Sequence, residues 1–165
     1  MVRLLMAIGA CYAARVVTLT AQTLPGDMLP PLVASIREEI GRGPIVFDPR
    51  VLCEHSSPCT SSPAGEHSVQ AVAEISRLLP ARVAPFDSVR RCGDPSGACV
   101  FIDAAAVVAV SEATISGDSA RAVVRLWFDA VRNNLPRSVW REIEIRLRGT
   151  PAGWRVVKKA VVAAS

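Results

Sequence analysis

The sequence predicts an α+β fold in which N-terminal helices pack on a curved C-terminal antiparallel sheet of three to five strands. Three observations carry that expectation. Between residues 27 and 80 the apolar residues recur at helical spacing, in DMLPPLVASIREEIGRG and again in SPAGEHSVQAVAEISRLLP. From residue 106 onward the spacing shortens to a period of two. Finally, the helical stripes precede the alternating runs, an order that suits helices laid on a sheet better than repeated strand-helix units.

The first helix is predicted from Pro30 and Pro31 near its start, Leu32, Val33, Ile36 and Ile40 on one face, and Gly41 and Gly43 at its end. PIVFDPR then reads as a short strand stopped by Pro49. A second helix is expected to start at Ser62 as cap and Pro63 in the first turn, to bury Val69, Val72, Ile75 and Leu79, and to stop at Pro80. A short strand is expected within residues 83–89 and a turn at Gly93-Asp94-Pro95. In ARAVVRLWFDA, Ala122, Val124, Leu126 and Phe128 share one face, while Arg121, Arg125 and Asp129 share the other with Val123 and Trp127. In WREIEIRLRG, Ile143, Ile145 and Leu147 alternate with Glu142, Glu144, Arg146 and Arg148. Such alternation belongs to an antiparallel sheet with one covered face and one wet one. Ser116-Gly117-Asp118 and Thr150-Pro151-Ala152-Gly153 supply the turns, and Trp154 opens the last strand.

At 165 residues, half of them hydrophobic, the chain has the length of one domain with a real core. Residues 1–21 resemble a secretory signal peptide, with Arg3 in a short basic region, an apolar run over 4–14, and small residues around Ala21. The expectation is therefore an exported protein, periplasmic or secreted, with residues 22–165 as a single α+β domain. No stretch approaches the ~20 apolar residues of a membrane span. Ile8-Gly9-Ala10-Cys11 resembles a lipobox, but only ten residues precede Cys11, so a lipid anchor there is disfavoured. Arg outnumbers Lys seventeen to two, which points to the codon usage of a GC-rich bacterial genome rather than to a selected guanidinium surface.

Without the leader, four cysteines remain: Cys53, Cys59, Cys92 and Cys99. An even count in an exported chain reads as two disulfides, with three connectivities open. Local pairing, 53 with 59 and 92 with 99, is expected because each pair brackets a Ser/Pro/Gly-rich loop; crossed pairing is the alternative. CEHSSPCTSSPAGEH also holds both histidines, His55 and His67. Their types suit zinc, yet the spacing lacks the tight ligand pairs of structural zinc sites, so no metal is expected. A Cys53 nucleophile with His55 as base would require a free thiolate, which an oxidised pair lacks. Both histidines are expected to be solvated. No cofactor is called for.

The run VVAVSEATISGDSARAVVRLWF, then WREIEIRLR, then a turn and GWRVVKK, resembles the final strands of the NTF2-like superfamily over residues 100–162. The resemblance implies a cone-shaped α+β fold, a curved sheet wrapping a helix, and a pocket at the open end that serves enzymes in some members and ligand or partner binding in others. The pocket Asp and His of enzymatic members have no counterparts here, because both histidines precede the sheet.

Charge divides along the chain. Residues 22–120 hold seven basic and twelve acidic side chains, and residues 121–165 hold ten basic and three acidic. Arg125, Arg146, Arg148 and Arg155 are the candidate binding residues for an anionic partner. Equally, Glu142 and Glu144 have Arg125 and Arg155 as cross-strand partners to neutralise. Nucleic acid is not expected, for the chain is poor in stacking aromatics. Three functions compete: a non-enzymatic module for a protein partner or small ligand, a pocket enzyme using Asp103 or Glu112 as acid or base, and a zinc-stabilised domain.

Overall fold

The computed structural model describes residues 20–22, 24–53, 65–93, 99–132 and 135–165. It is an α+β structure with few helices and a sheet larger than the sequence pattern suggests. Strand β1 (Thr20–Gln22) leads through a 3-10 turn (Gly26–Met28) into α1 (Leu29–Glu39). Next come β2 (Ile45–Phe47), α2 (Val69–Leu78), β3 (Ala81–Val83), the one-turn helix α3 (Phe86–Val89), and the hairpin β4 (Arg90–Cys92) and β5 (Cys99–Phe101). Then β6 (Ala106–Val110), β7 (Ala113–Ser116), β8 (Ser119–Arg132), β9 (Leu135–Thr150) and β10 (Gly153–Ala164) follow in sequence.

Eight of these strands form one mixed sheet, in place of the three to five antiparallel ones expected. From β10 the order runs through β9 and β8 to β6, β2 and β3, with β7 and β1 alongside β8. The unexpected part is parallel: β2 lies between β3 and β6, parallel to both, and α2 makes the crossover from β2 to β3. The long C-terminal hairpins match the expected turns. Gly117 turns β7 into β8 at a φ of 59°, where a side chain would be strained. Thr20 to Gln22 pair with β7, so a leader cut after Ala21 would fall inside β1; residues 1–19, and Cys11 with them, lie outside the described residues.

Helix α1 carries its prolines in the first turn, where the missing N–H groups cost nothing. It ends at Ile40, which is extended. Helix α2 is capped by Ser68, whose Oγ accepts from the Ala71 N–H at 3.2 Å; Ser62 and Pro63 lie outside the described residues. Ile75 and Leu79 are buried as expected and Val72 packs against the core, but Val69 is exposed and Ala71 is buried in its place. Residues 83–89 form the end of β3 and then α3, not one strand.

The main core lies between α1, α2 and one face of the sheet. Leu29, Leu32, Val33, Ile36 and Ile75 pack on Val108, Val110, Ala122, Val124, Leu126, Ile143, Ile145 and Leu147. The other face is covered only in part. Val107 meets Val46, Ala84, Val89 and Phe101, while Ala109 and Val123 meet Leu52, with Trp127 packed against both groups. Being covered on both faces, β6 is buried at every position.

Candidate functional site

Asp48 to Leu52 run on past β2 beside β6 and lead to Cys53. The Asp48 and Leu52 N–H groups donate to the Val108 and Val110 carbonyls, both at 2.8 Å. His67 is drawn into the same place. Its N–H donates to the Pro49 carbonyl, its Nε2 bonds the Val110 carbonyl at 2.9 Å, and its ring stacks on Phe47. Only 6% exposed, His67 is a buried anchor, which corrects the expectation of a solvated side chain in a helical turn. Burial pushes its pKa below the ordinary imidazole value, against the Val110 bond and the charges of Glu112 and Asp48.

Cys92 and Cys99 face each other across the β4–β5 pair and are disulfide-bonded. Cys53 is disulfide-bonded as well. His55 and Cys59 lie outside the described residues. Among the described residues no three His, Cys, Asp or Glu side chains are grouped to hold a metal ion.

Asp48, which is buried, and Arg50, which is partly exposed, form a knot that the sequence did not single out. Asp48 accepts from the Arg50 N–H, Nε and Nη2, and from the Phe86 N–H, while Arg50 Nη1 reaches Asp87. Burial works against the Asp48 carboxylate, but the Arg50 bonds outweigh it and hold the pKa below the usual range. Every acceptor is used, so the knot ties β2 to α3 and offers no free base. The signal was available in VFDPR, a carboxylate following directly on a buried strand.

The two carboxylates considered for acid-base work are elsewhere. Asp103 is exposed in a turn before β6 at a φ of 53°, and Glu112 is exposed in the turn after it. Neither lies on a strand or in an apolar pocket.

The four candidate arginines divide. Arg125 points to Glu142, donating from Nε and Nη2 to Oε1, and its Nη2 also reaches the Cys53 carbonyl. Stacked over Trp127 and Trp140, it belongs to the interior of that face rather than to a binding surface. Glu142, expected outside, is 1% exposed. Arg146 shares Glu144 with Arg121, and Arg148 pairs with Asp118. Arg155 stands across from Arg148, and Lys158 across from Arg146. Thus the expected neutralisation holds for Glu142 with Arg125, whereas Glu144 takes Arg121 and Arg146 in place of Arg155.

On the core side, the sheet and α1 leave a cleft of about 330 Å³ at the C-terminal end of the helix, lined by Glu39 to Arg42, Ala105, Ala106, Leu126, Phe128 and Arg141. Gly43 lies close to Ala105, one of the lining residues. A Cβ there would come within 2.5 Å of the Ala105 Cβ, and its φ of 143° disfavours a side chain in any case. No family model, curated protein or solved structure matches this chain. The cleft is therefore read from its own chemistry. Its lining is mostly apolar, and Glu39, Arg42 and Arg141 are its charged residues. Arg141 Nη2 donates to the Glu39 carbonyl at 2.7 Å and pairs with Glu39 Oε2 at 3.0 Å, capping the end of α1. The guanidinium lies over the Phe128 ring at 5.6 Å. Arg141 Nε is buried without an acceptor, a state that costs about 1–3 kcal/mol. A signal for this site was present in WREIEIRLR: Arg141 has the parity of Ile143, Ile145 and Leu147, which puts a cation on the core face.

Proposed function

We propose that this protein is an exported, non-enzymatic module that binds a small ligand in the cleft between the end of α1 and the sheet. The cleft itself carries the reading. It has the size of the small-molecule sites that run from about 300 to 1,000 Å³, a mostly apolar lining, and a few charged groups. Export is supported by the leader-like sequence and by the Cys92–Cys99 disulfide, a bond that persists in oxidising compartments. Among the described residues no helix is long and apolar enough to cross a membrane. The NTF2-like resemblance of the C-terminal strands agrees with a ligand site on the helix-covered side. The acid-base alternative lost its support when Asp103 and Glu112 proved exposed.

The test is an amide NMR titration with hexan-1-ol as a neutral apolar probe. Saturable shifts should concentrate at Gly41, Ala106, Leu126 and Phe128. They should vanish in Gly41→Trp, because an added Cβ at Gly41 meets nothing within 4 Å and the ring can occupy the cleft without disturbing the backbone. Saturable shifts centred on the outer face of β8 and β9, or equal binding by a folded Gly41→Trp, would overturn the proposal.

A further inference from the structure

We infer that the ligand is a small amphipathic carboxylate, its head held by Arg141 and Arg42 and its aliphatic part laid on Leu126, Phe128 and Ala106. This rests on the cleft being the binding site. Four observations lead to the charge of the ligand.

The first is the state of the Arg141 guanidinium. Nη2 is committed to Glu39, Nε has no acceptor, and Nη1 makes no hydrogen bond within the described residues. Nη1 is therefore the donor left for a ligand, since Nε is buried out of reach and the two Nη2 protons go to the Glu39 carbonyl and Oε2. A charge-assisted bond from Nη1 favours an oxyanion. Second, the group is already oriented, since the Glu39 bonds fix one edge and the Phe128 ring fixes the plane. A preorganised cation loses little freedom on binding.

Third, the local charge is positive. Glu39 lines the cleft and would repel an anion, yet its Oε1 also receives Lys159 Nζ at 2.7 Å while its Oε2 pairs with Arg141. Lys159 is shared in turn with Glu38. Arg42 lines the same cleft and has no ion pair among the described residues, so the three cations outnumber the two carboxylates there. Fourth, the remaining lining is apolar, made by Ile40, Gly41, Ala105, Ala106, Leu126 and Phe128. A purely polar anion such as inorganic phosphate would leave that surface unused. A cationic ligand would meet Arg42 and Arg141 directly.

Hexanoate, hexan-1-ol and hexylamine differ in the head group and share the tail, so their comparison isolates the inference. Amide NMR titration of the oxidised protein at neutral pH should show hexanoate binding about ten- to thirty-fold more tightly than hexan-1-ol, the range expected of charge-assisted hydrogen bonds, and hexylamine more weakly than either. Raising the salt from about 0.02 to about 0.5 M should shrink the hexanoate preference and leave the alcohol unchanged. Arg141→Gln should bring the preference below about threefold with alcohol affinity retained. Because that change also cuts the Glu39 pair, Arg141→Lys serves as the second variant. It keeps the charge near Glu39, lacks the Nη1 donor, and should lose most of the preference. Equal affinities for hexanoate and hexan-1-ol in the parent would overturn the carboxylate assignment and leave the cleft reading standing. Saturation of none of the three at the cleft would sink both. An undiminished preference in the folded Arg141 variants would place the anion elsewhere and overturn the inference.

Discussion

The two faces of the central sheet bury side chains by different means. On the α1 and α2 side, Val124, Leu126, Ile143, Ile145 and Leu147 are at most 2% exposed and pack in one apolar cluster. On the opposite side the same strands bury both Val123 and Glu142, and Glu142 is as inaccessible as the leucines. What permits this is Arg125, which bonds the carboxylate, reaches the Cys53 carbonyl and is roofed by two tryptophans. The first face is stabilised by transfer of hydrocarbon out of water, roughly 25 cal/mol per Å². The second depends on an ion pair whose desolvation penalty is met only while both partners are present. The lesson is that a polar parity in a strand does not establish a wet face.

The largest effect should come from the first face. Ile145→Ala removes methylene groups from a site that α1 and the neighbouring strands already fill, so denaturant unfolding should show a loss of about 3–4 kcal/mol. Next comes Arg125→Ala, at about 3 kcal/mol, because it leaves a buried carboxylate without its counter-ion. A solvated arginine would cost a small fraction of that, so a loss below about 0.5 kcal/mol would place Glu142 in water and break the contrast between the faces. The double change Arg125→Leu with Glu142→Leu sharpens it further. If the pair is maintained against its own desolvation, the double variant should lie within about 1 kcal/mol of the parent, well above Arg125→Ala alone.

Much of the second half of the molecule was legible. The fourteen residues of β8 and sixteen of β9 are long enough for a period of two to be unmistakable, and the turns at Gly117 and Pro151 were marked by residue type. Helix α1 was legible for the same reason of length. The parallel strands were not. Ile45–Phe47 and Ala81–Val83 have three residues each, too few to express a period, and β6 is buried on both faces and so shows no alternation. Their pairing depends on the α2 crossover, a long-range relation that local pattern does not encode. Of the site, only Arg141 had a readable signal, its apolar parity. Glu39 and Arg42 come to the cleft through the way α1 ends.

His67 tests the boundary between the two regions, since it bonds Val110 on β6 from a segment that local sequence marks as exposed. His67→Gln should cost about 1–2 kcal/mol near pH 8 through the altered bond and packing. The pH dependence then has a definite sign. Burial lowers the folded-state pKa of His67, so the unfolded chain takes up a proton first as pH falls below about 6.5, and the parent loses stability from there downward until the folded state also protonates. The glutamine variant lacks that loss. Stability measured by urea unfolding from pH 8 to pH 5 should therefore converge for the two proteins; parallel curves would mean that His67 is solvated after all.

The smallest effect belongs where the second face leaves its tryptophan roof. Across β8, β9 and β10, Arg121, Arg146 and Lys158 stand in one row of register, three cations side by side with only Glu144 paired to the first two. Like charges opposite one another on adjacent strands repel, and an opposite pair contributes a fraction of a kcal/mol in its place. Lys158 is exposed on the edge strand, so exchanging it disturbs no packing. Lys158→Glu should therefore leave the fold intact and raise stability by about 0.5 kcal/mol at low salt, with the gain fading as ionic strength rises and the Debye length contracts. Loss of stability instead would mean that Lys158 is held by a partner outside this row. A gain that persisted undiminished in high salt would point to a change in packing, and the contrast between a desolvated ion pair under the tryptophans and a screened row beyond them would then fail.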